Sequence, residues 1–295
     1  MKVNRFTMTD ATSLPVARSV AELRQIVGDW KRQGLRVGMV PTMGALHEGH
    51  LTLVREAARR ADRVLASNFV NPTQFAAHED LGRYPRQQEE DARLLAGAGC
   101  DLMFAPTVEE MYPQGFATSI AVSGPALGLE GDARPQMFGG VALVVTKLFN
   151  QAQPDVAVFG EKDFQQLMVI RRFVRDLDLP VEIIGSPTER DEHGLALSSR
   201  NAYLSGKELA TARSLNLILR KAADEAASGR PLPGVEREAY SALLKAGFDR
   251  VDYATIRHAE DLTPFRDDIV DAPARILAAA WLGKTRLIDN MAVGA

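Results

Sequence analysis

The sequence predicts an α/β protein in two parts: a parallel sheet with helices on both faces, then a smaller α+β unit with an antiparallel sheet. Three observations carry that expectation. Between residues 36 and 185, short apolar runs alternate with helix-forming segments, the pattern of the crossovers that build a parallel sheet. Past Ser186-Pro187 the alternation stops, and three strand-like runs follow without long helices between them. The chain has 295 residues, room for two cores at ~150 residues per domain. We place the division so that one unit spans residues 1–188 and the other 189–295.

Taken in order, Ser19 and Glu22 form a capping box ahead of AELRQIVGDWKRQ, with Gly34 as its stop. RVGMV (residues 36–40) reads as a short buried strand, residues 41–49 as a turn, and LTLVREAARRA as a helix. RVLASNFV (63–70) is a second strand, ended by Asn71-Pro72. A charged helix from about Pro85 to Ala98 leads through Gly99 to the strand DLMFAP (101–106). ATSIAVS (117–123) reads as another strand, and GGVALVVTKLFNQAQ (139–153) as a buried helix. DVAVFG (155–160), DFQQLMVIRRFVRDL and VEIIG (181–185) give strand, helix and strand. In the second unit Ser205 and Glu208 cap a long Ala-rich helix, and GRPLPG (229–234) loops into a helix ending at Gly247. VDYATIR, ARILAAAWLG and TRLIDNMAV then supply the antiparallel strands.

Composition removes several function classes. Hydrophobic residues at 46% and charged residues at 25% supply a core and exclude a disordered chain. A net charge of −3 argues against a general nucleic-acid binder, which needs a basic excess to neutralise phosphates. The single cysteine, Cys100, excludes an internal disulfide and a Cys-based zinc cluster, suits a reducing cytoplasm, and reads as a small apolar residue beside a strand. The N-terminus lacks the apolar core of a signal peptide, and no run reaches the ~18 apolar residues of a membrane span. Neither a membrane nor a nucleic acid is an expected partner.

Ligands of parallel sheets bind beyond the carboxyl ends of the strands. Three polar segments sit there. PTMGALHEGH (41–50) joins a strand to a helix, whose free N–H groups and positive dipole end attract phosphate. His47 and His50 are spaced to flank one ligand there and to donate hydrogen bonds as charge builds on it. A metal site fits less well, since metalloprotease histidines are four apart rather than three; a surface turn with two incidental histidines is the remaining alternative. FGEKDFQQ (159–166) places Lys162 at a strand end, where a cation clamps phosphates, and Asp163 where it caps a helix or contacts a ribose. NPTQF (71–75) offers Gln74 as donor and acceptor for hydroxyl and carboxylate groups, or is only a proline turn. At the junction of the two units, Ser198, Ser199 and Arg200 add hydroxyls and a guanidinium on a connector. Together they describe a nucleoside triphosphate site covered by a second unit.

PTMGALHEGH, FVNPTQF, GLEGDARP, FGEKDFQQ, LSSRNAYLS and LGKTRLIDN, in this order and spacing from about Val37 to Asn290, resemble the pantothenate synthetase (pantoate–β-alanine ligase) family. His47-Glu48-Gly49-His50 resembles the His-x-Gly-His signature of the wider nucleotidyltransferase superfamily. The resemblance implies a Rossmann-like first unit that binds ATP and pantoate, and a smaller C-terminal lid. It also implies two chemical steps: pantoate attacks the α-phosphate of ATP to give pantoyl adenylate and pyrophosphate, then β-alanine displaces AMP to give pantothenate.

Residue by residue, it implies that Met43, Gly44, Ala45, Leu46, His47, Glu48, Gly49 and His50 wrap ATP, with His50 the principal catalytic donor and His47 on the phosphates. Gly160, Glu161, Lys162 and Asp163 hold ribose and phosphates, with Lys162 on the transferring phosphoryl. Glu189 meets adenine through its backbone, and Leu197, Ser198, Ser199 and Arg200 close over the triphosphate. Gln74 and Gln166 grip pantoate, and Pro41, Met43 and Phe75 line its dimethyl group. Mg2+ rides on the ATP phosphates; the run Glu89-Glu90-Asp91 could reach it, but is expected instead as a solvated helix face. A cytoplasmic homodimer is implied as well.

The chain departs from the family pattern at Met137, Leu143, Asn68 and His193. Met137 is expected to remove a polar group from a loop near the phosphates, and Leu143 and Asn68 to reshape packing near pantoate. Two rival functions stand beside the ligase: a nucleotidyltransferase acting on a phosphate-bearing acceptor, and a non-catalytic nucleotide-binding scaffold. The paired glutamines argue against the first, and the intact His47, His50, Lys162 and Arg200 against the second.

Overall fold

The computed structural model describes residues 14–75, 82 and 86–294. Its strands and helices run in the order β1 (Val16–Ala17), α1 (Val20–Arg32), β2 (Val37–Thr42), α2 (Glu48–Arg60), β3 (Arg63–Asn68), α3 (Gln88–Gly97), β4 (Leu102–Phe104), α4 (Val108–Met111), α5 (Glu130–Ala133), α6 (Met137–Ala152), β5 (Val156–Gly160), α7 (Phe164–Asp176), β6 (Glu182–Ser186), α8 (Gly206–Ala212), α9 (Ser214–Ala227), α10 (Leu232–Ala246), β7 (Arg250–His258), β8 (Ala274–Leu282) and β9 (Thr285–Val293).

The first six strands form one parallel sheet in the order β1-β4-β3-β2-β5-β6. Strand alternation divides their side chains between two cores. Met39, Leu65, Phe104, Ala157 and Phe159 meet α1, α6 and α7 on one face. Val40, Val64, Ala66, Met103 and Val158 meet Leu51, Val54 and Ala57 of α2 and Leu95 of α3 on the other. These strands are apolar on both faces because both faces are covered, which is why they read as continuous runs rather than alternating ones. Leu65 is fully buried, and Leu65→Ala would cost on the order of 2–5 kcal/mol.

The second sheet, β7-β8-β9, is antiparallel as the sequence predicts. On β8, Ile276, Ala278 and Ala280 pack with α9 and α10, whereas Leu277 points into the core of the first sheet. The second sheet is therefore seated on the first unit by one face and covered by its own helices on the other. Among the described residues no helix is long and apolar enough to cross a membrane.

Several expectations need correction. ATSIAVS forms no strand: Ile120 and Val122 pack on the large core, and with no neighbouring strand to pair with, their period-two pattern serves packing alone. The Ala-rich helix is two helices. Ser205 and Glu208 cap only the short α8, and Ser214 Oγ donates to the Thr211 carbonyl at 2.6 Å where the chain bends into α9. Leu232, Pro233 and Gly234 are not loop but the first turn of α10, where proline costs no hydrogen bond. The segment expected as a turn before Gly49 is shorter, since β2 runs to Thr42 and α2 starts at Glu48. β1 is too short to show a period in sequence, yet Val16 and Ala17 pair with Met103 and Phe104. The expected helix start at Pro85 lies outside the described residues; α3 begins at Gln88.

Candidate active site

β2, β3 and β5 are adjacent, so the segments that follow them share one edge of the sheet. After β2 the chain makes a tight turn with Gly44 at φ +80° and Ala45 at φ +52°. A Cβ on Gly44 would lie 2.6 Å from Asn68 Oδ1 and 2.9 Å from Asp91 Oδ2, so only glycine fits there. The turn delivers His47 as the N-cap of α2 and His50 one turn in, their ring centroids 4.1 Å apart. Gly49 leaves room for this, since a Cβ there would stand 3.0 Å from the His47 ring.

Both imidazoles are neutral at physiological pH. Burial, reinforced by His47 and Lys162 nearby, pushes the pKa of His50 down to about 3. Burial and the Lys162 ammonium lower that of His47, with Asp163 opposing. The His47 N–H donates to His50 Nδ1 at 3.3 Å, which puts the single proton of the neutral His50 ring on Nε2 as a donor. His47 Nδ1 is buried with no hydrogen-bond partner among the described residues, an arrangement that a ligand would satisfy.

After β5, a one-turn 3-10 helix over Glu161–Asp163 presents Lys162 with its side chain one-fifth exposed and Nζ 3.6 Å from Asp163 Oδ1. The second sheet fixes this turn. Asn290 of β9 donates from Nδ2 to the carbonyls of Glu161 and Lys162, both at 2.9 Å. Arg275 of β8 pairs with Glu161 at 2.8 Å and lies over the Phe164 ring. The Glu161 carboxylate and carbonyl are thus both engaged within the protein.

A cleft of about 1850 Å3 opens beside these contacts, lined among others by Lys162, Asp163, Ser198, Arg200, Arg134 and Met137. The two histidine rings are not part of its lining. Residues 189–197 fold back on themselves, with the Leu197 N–H donating to the Glu189 carbonyl at 2.9 Å, and Arg190 grips Asp289 through two bonds of 2.7 and 2.8 Å. A Cβ on Gly49 would stand 3.7 Å from Leu197 Cβ, so this hairpin reaches the start of α2. Ser199 and Arg200 begin a short 3-10 helix whose cap is Ser198.

On the other side of the turn, Ala45 and Phe75 make a small apolar cluster with Met43 and Val70 packed on it. Gln74 is held over it, accepting from Asn71 at 3.1 Å and donating to Met43 Sδ at 2.8 Å. Of the two glutamines that open α7, the side chain of Gln165 is buried and used structurally, taking the Glu130 N–H and donating to the carbonyls of Pro125 and Gly128. Gln166 is only half-buried.

The expectations for the remaining positions change in detail. Asp91 is not on a solvated face: it is completely buried, and its carboxylate accepts the Ala45 and Leu46 N–H groups at 3.1 and 3.0 Å. Those two amides are therefore turned away from any ligand. Asn68 donates to the same carboxylate at 2.9 Å. Met137 is the first residue of α6 rather than part of a loop, buried with the Arg134 guanidinium at its sulfur. Leu143 is buried inside α6, and His193 is exposed at a turn that Asp191 caps. Asn290, Arg275 and Arg190 were not singled out from sequence, and Asp91 only as part of an acidic run expected on a solvated face. Only the motif LGKTRLIDN, which ends on Asn290, carried a signal for any of them.

Residues 15–292 match the family model described as pantoate-beta-alanine ligase. The chain is 61% identical to the pantothenate synthetase of Caulobacter vibrioides over 284 residues, 96% of this chain and all of that one. It is likewise 61% identical to that of Mesorhizobium japonicum, over 94% of this chain and 97% of the relative. Among solved structures it superposes on the pantothenate synthetase of Thermus thermophilus with a TM-score of 0.87 at 48% identity, covering 95% of this chain and 99% of that one. The Francisella tularensis pantoate-beta-alanine ligase, solved with beta-gamma ATP and beta-alanine, gives 0.80 at 33% identity, over 96% and 99%.

Proposed function

The chain belongs to the pantoate–β-alanine ligase family, and from that membership we propose how its residues condense pantoate with β-alanine. In the first step a pantoate carboxylate oxygen attacks the α-phosphorus of ATP and pyrophosphate leaves. In the second the β-alanine amine attacks the acyl carbon and AMP leaves. Adenylation converts a poor leaving oxygen into a good one, so no covalent enzyme intermediate is needed.

The observation that carries this reading is the pair of neutral imidazoles at the opening of α2, one with its proton on Nε2 and one with a buried, unpartnered nitrogen. His50 donates from Nε2 to the phosphate oxygens as pentavalent charge builds, and His47 stands beside it on the triphosphate. Lys162 contributes a full positive charge on the transferring phosphoryl, held at its place by Asn290. Gly160 and Asp163 face the ribose. Ser198, Ser199 and Arg200 reach across the cleft to the β- and γ-phosphates, and Glu189 and Leu197 border the adenine. The apolar cluster of Met43 and Phe75 takes the dimethyl group of pantoate, with Gln74 and Gln166 on its hydroxyl and carboxylate. Mg2+ enters with the nucleotide as part of the substrate. Asp91, the buried member of the acidic run, is already committed to Ala45, Leu46 and Asn68. Residues 189–295 act as the lid, and the working form is a cytoplasmic homodimer, to be checked by light scattering against the 32.2 kDa chain mass.

Incubation with ATP, Mg2+ and pantoate, with and without β-alanine, tests the reading. AMP should accumulate over many turnovers only when both acids are present. AMP formation indifferent to β-alanine would favour a nucleotidyltransferase, and no turnover at all a scaffold.

A further inference from the structure

The buried Asp91 lies outside the reaction just described, and it is fully enclosed in a protein whose other acidic residues mostly sit at the surface. Its partners explain why it is there. Oδ2 accepts the Ala45 N–H at 3.1 Å and Asn68 Nδ2 at 2.9 Å; Oδ1 accepts the Leu46 N–H at 3.0 Å and Gln87 Nε2 at 3.4 Å. Among the described residues the four donors are neutral, and their hydrogen bonds hold a charge that would otherwise be costly to bury. Two of the four come from consecutive amides of one turn.

That turn is the strained one. Ala45 sits at φ +52°, a conformation that disfavours side chains, and Gly44 at +80° packs directly on Asn68 and Asp91. Immediately after it come His47 and His50. The chain between Leu46 and the His47 N–H that sets the His50 tautomer is a single peptide link. Asp91 reaches the turn from α3, and Asn68 from the end of β3, so two elements of the first unit converge on it.

We propose that Asp91, oriented by Asn68, is a positioning residue for adenylation: its carboxylate clamps the Ala45 and Leu46 amides, imposes the left-handed turn, and thereby sets where the His47 and His50 rings meet the triphosphate. Asp91 touches no substrate. This inference rests on the role proposed for the two histidines, and one of its readouts is independent of that role.

The test joins hydrogen exchange of the Ala45 and Leu46 amides to the rate of pyrophosphate release in the first half-reaction, with ATP and pantoate and no β-alanine, normalised to titrated active sites. Asp91→Asn keeps the volume but turns one acceptor into a donor. Both amides should exchange at least ~10-fold faster, while the amides of β2 and β3 stay protected. Pyrophosphate release per active site should fall by about 10- to 100-fold, since an ångström of displacement suffices for that, with KM for ATP moving less than about threefold. Asn68→Ala should move both readouts in the same direction by less, and it decides the matter should Asp91→Asn fail to fold.

A purely structural role would lower the melting temperature and the titratable fraction without changing the rate per site, and that result overturns the proposal. So does wild-type protection of the two amides in a folded variant, or faster exchange with an unchanged rate. Were the wild-type protein itself to release no pyrophosphate, the proposed function would fail, while the exchange data would still report whether the clamp exists.

Discussion

The two turns proposed to receive ATP lie at the ends of neighbouring strands but are held in opposite ways. The turn after β2, which carries His47 and His50, takes its hydrogen bonds from within the first unit, from Asp91 with Asn68 behind it. The turn after β5, which carries Lys162, is secured from outside it, by Asn290 and Arg275 of the second sheet. The first keeps these hydrogen bonds whatever the second unit does. The second cannot, so the position of Lys162 is coupled to the seating of the second sheet while the Asp91 clamp is not.

The largest expected effect breaks the first turn alone. His50→Ala should lower kcat by ~10²-fold or more, the loss expected for a preorganised transition-state donor, with little change in stability near neutral pH. A variant with near-normal kcat, measured by steady-state AMP release, would remove His50 from the chemistry.

Asn290→Ala attacks the second turn from the other side. It deletes both bonds to the Glu161 and Lys162 carbonyls and should destabilise the protein by about 1–3 kcal/mol, read in urea melts. We expect kcat/KM for ATP to fall by roughly tenfold, because a displaced Lys162 costs about 1.4 kcal/mol of transition-state stabilisation. Exchange at Ala45 and Leu46 should stay as in the wild type; faster exchange there would mean the two turns are coupled after all.

A third expectation follows from charge. The unfolded chain protonates His50 near its ordinary value of 6.5, whereas burial holds the native group near 3. Between those values the unfolded state binds the extra proton, so stability should fall as pH drops from 6.5 toward 3 and rise again with pH through the same window. Denaturant melts of His50→Gln across that range should show a shallower slope than the wild type, and Asn290→Ala should keep the wild-type slope.

The smallest effect concerns the lid. If residues 189–295 close over ATP and exclude water from the adenylate, they move against the ties that Asn290, Arg275 and Arg286 make to the first unit. A modest decrease in the radius of gyration by small-angle scattering is expected on adding a non-hydrolysable ATP analogue with pantoate. An unchanged scattering curve would count against closure.

What was legible in the sequence follows the same division. The strand–turn–helix units and the antiparallel second sheet could be read because burial on both faces leaves continuous apolar runs in the strands, while one-sided burial leaves a period in the helices. His47, His50 and Lys162 stood out because rare or charged residues occupied strand ends. Asp91 did not, because within Glu89-Glu90-Asp91 it has the look of a solvated helix face, and its partners Ala45 and Leu46 are amides far away in the chain. Asn290 and Arg275 were hidden for the same reason: their partners lie on the other sheet. The split between α8 and α9 is marked by a Ser214 hydroxyl that bonds back to the Thr211 carbonyl, a feature that Ala-rich composition masks. The expected strand at 117–123 failed because alternation reports a half-buried extended segment, and only a neighbour makes it a strand.

One structure would test the central claim most directly: this protein crystallised with a non-hydrolysable ATP analogue and pantoate. An oxygen of the phosphate chain within about 3 Å of His50 Nε2, and Lys162 on the same phosphoryl group, is the expected arrangement. A triphosphate lying in the outer cleft beside Arg250 and Trp281, out of reach of both rings, would contradict it.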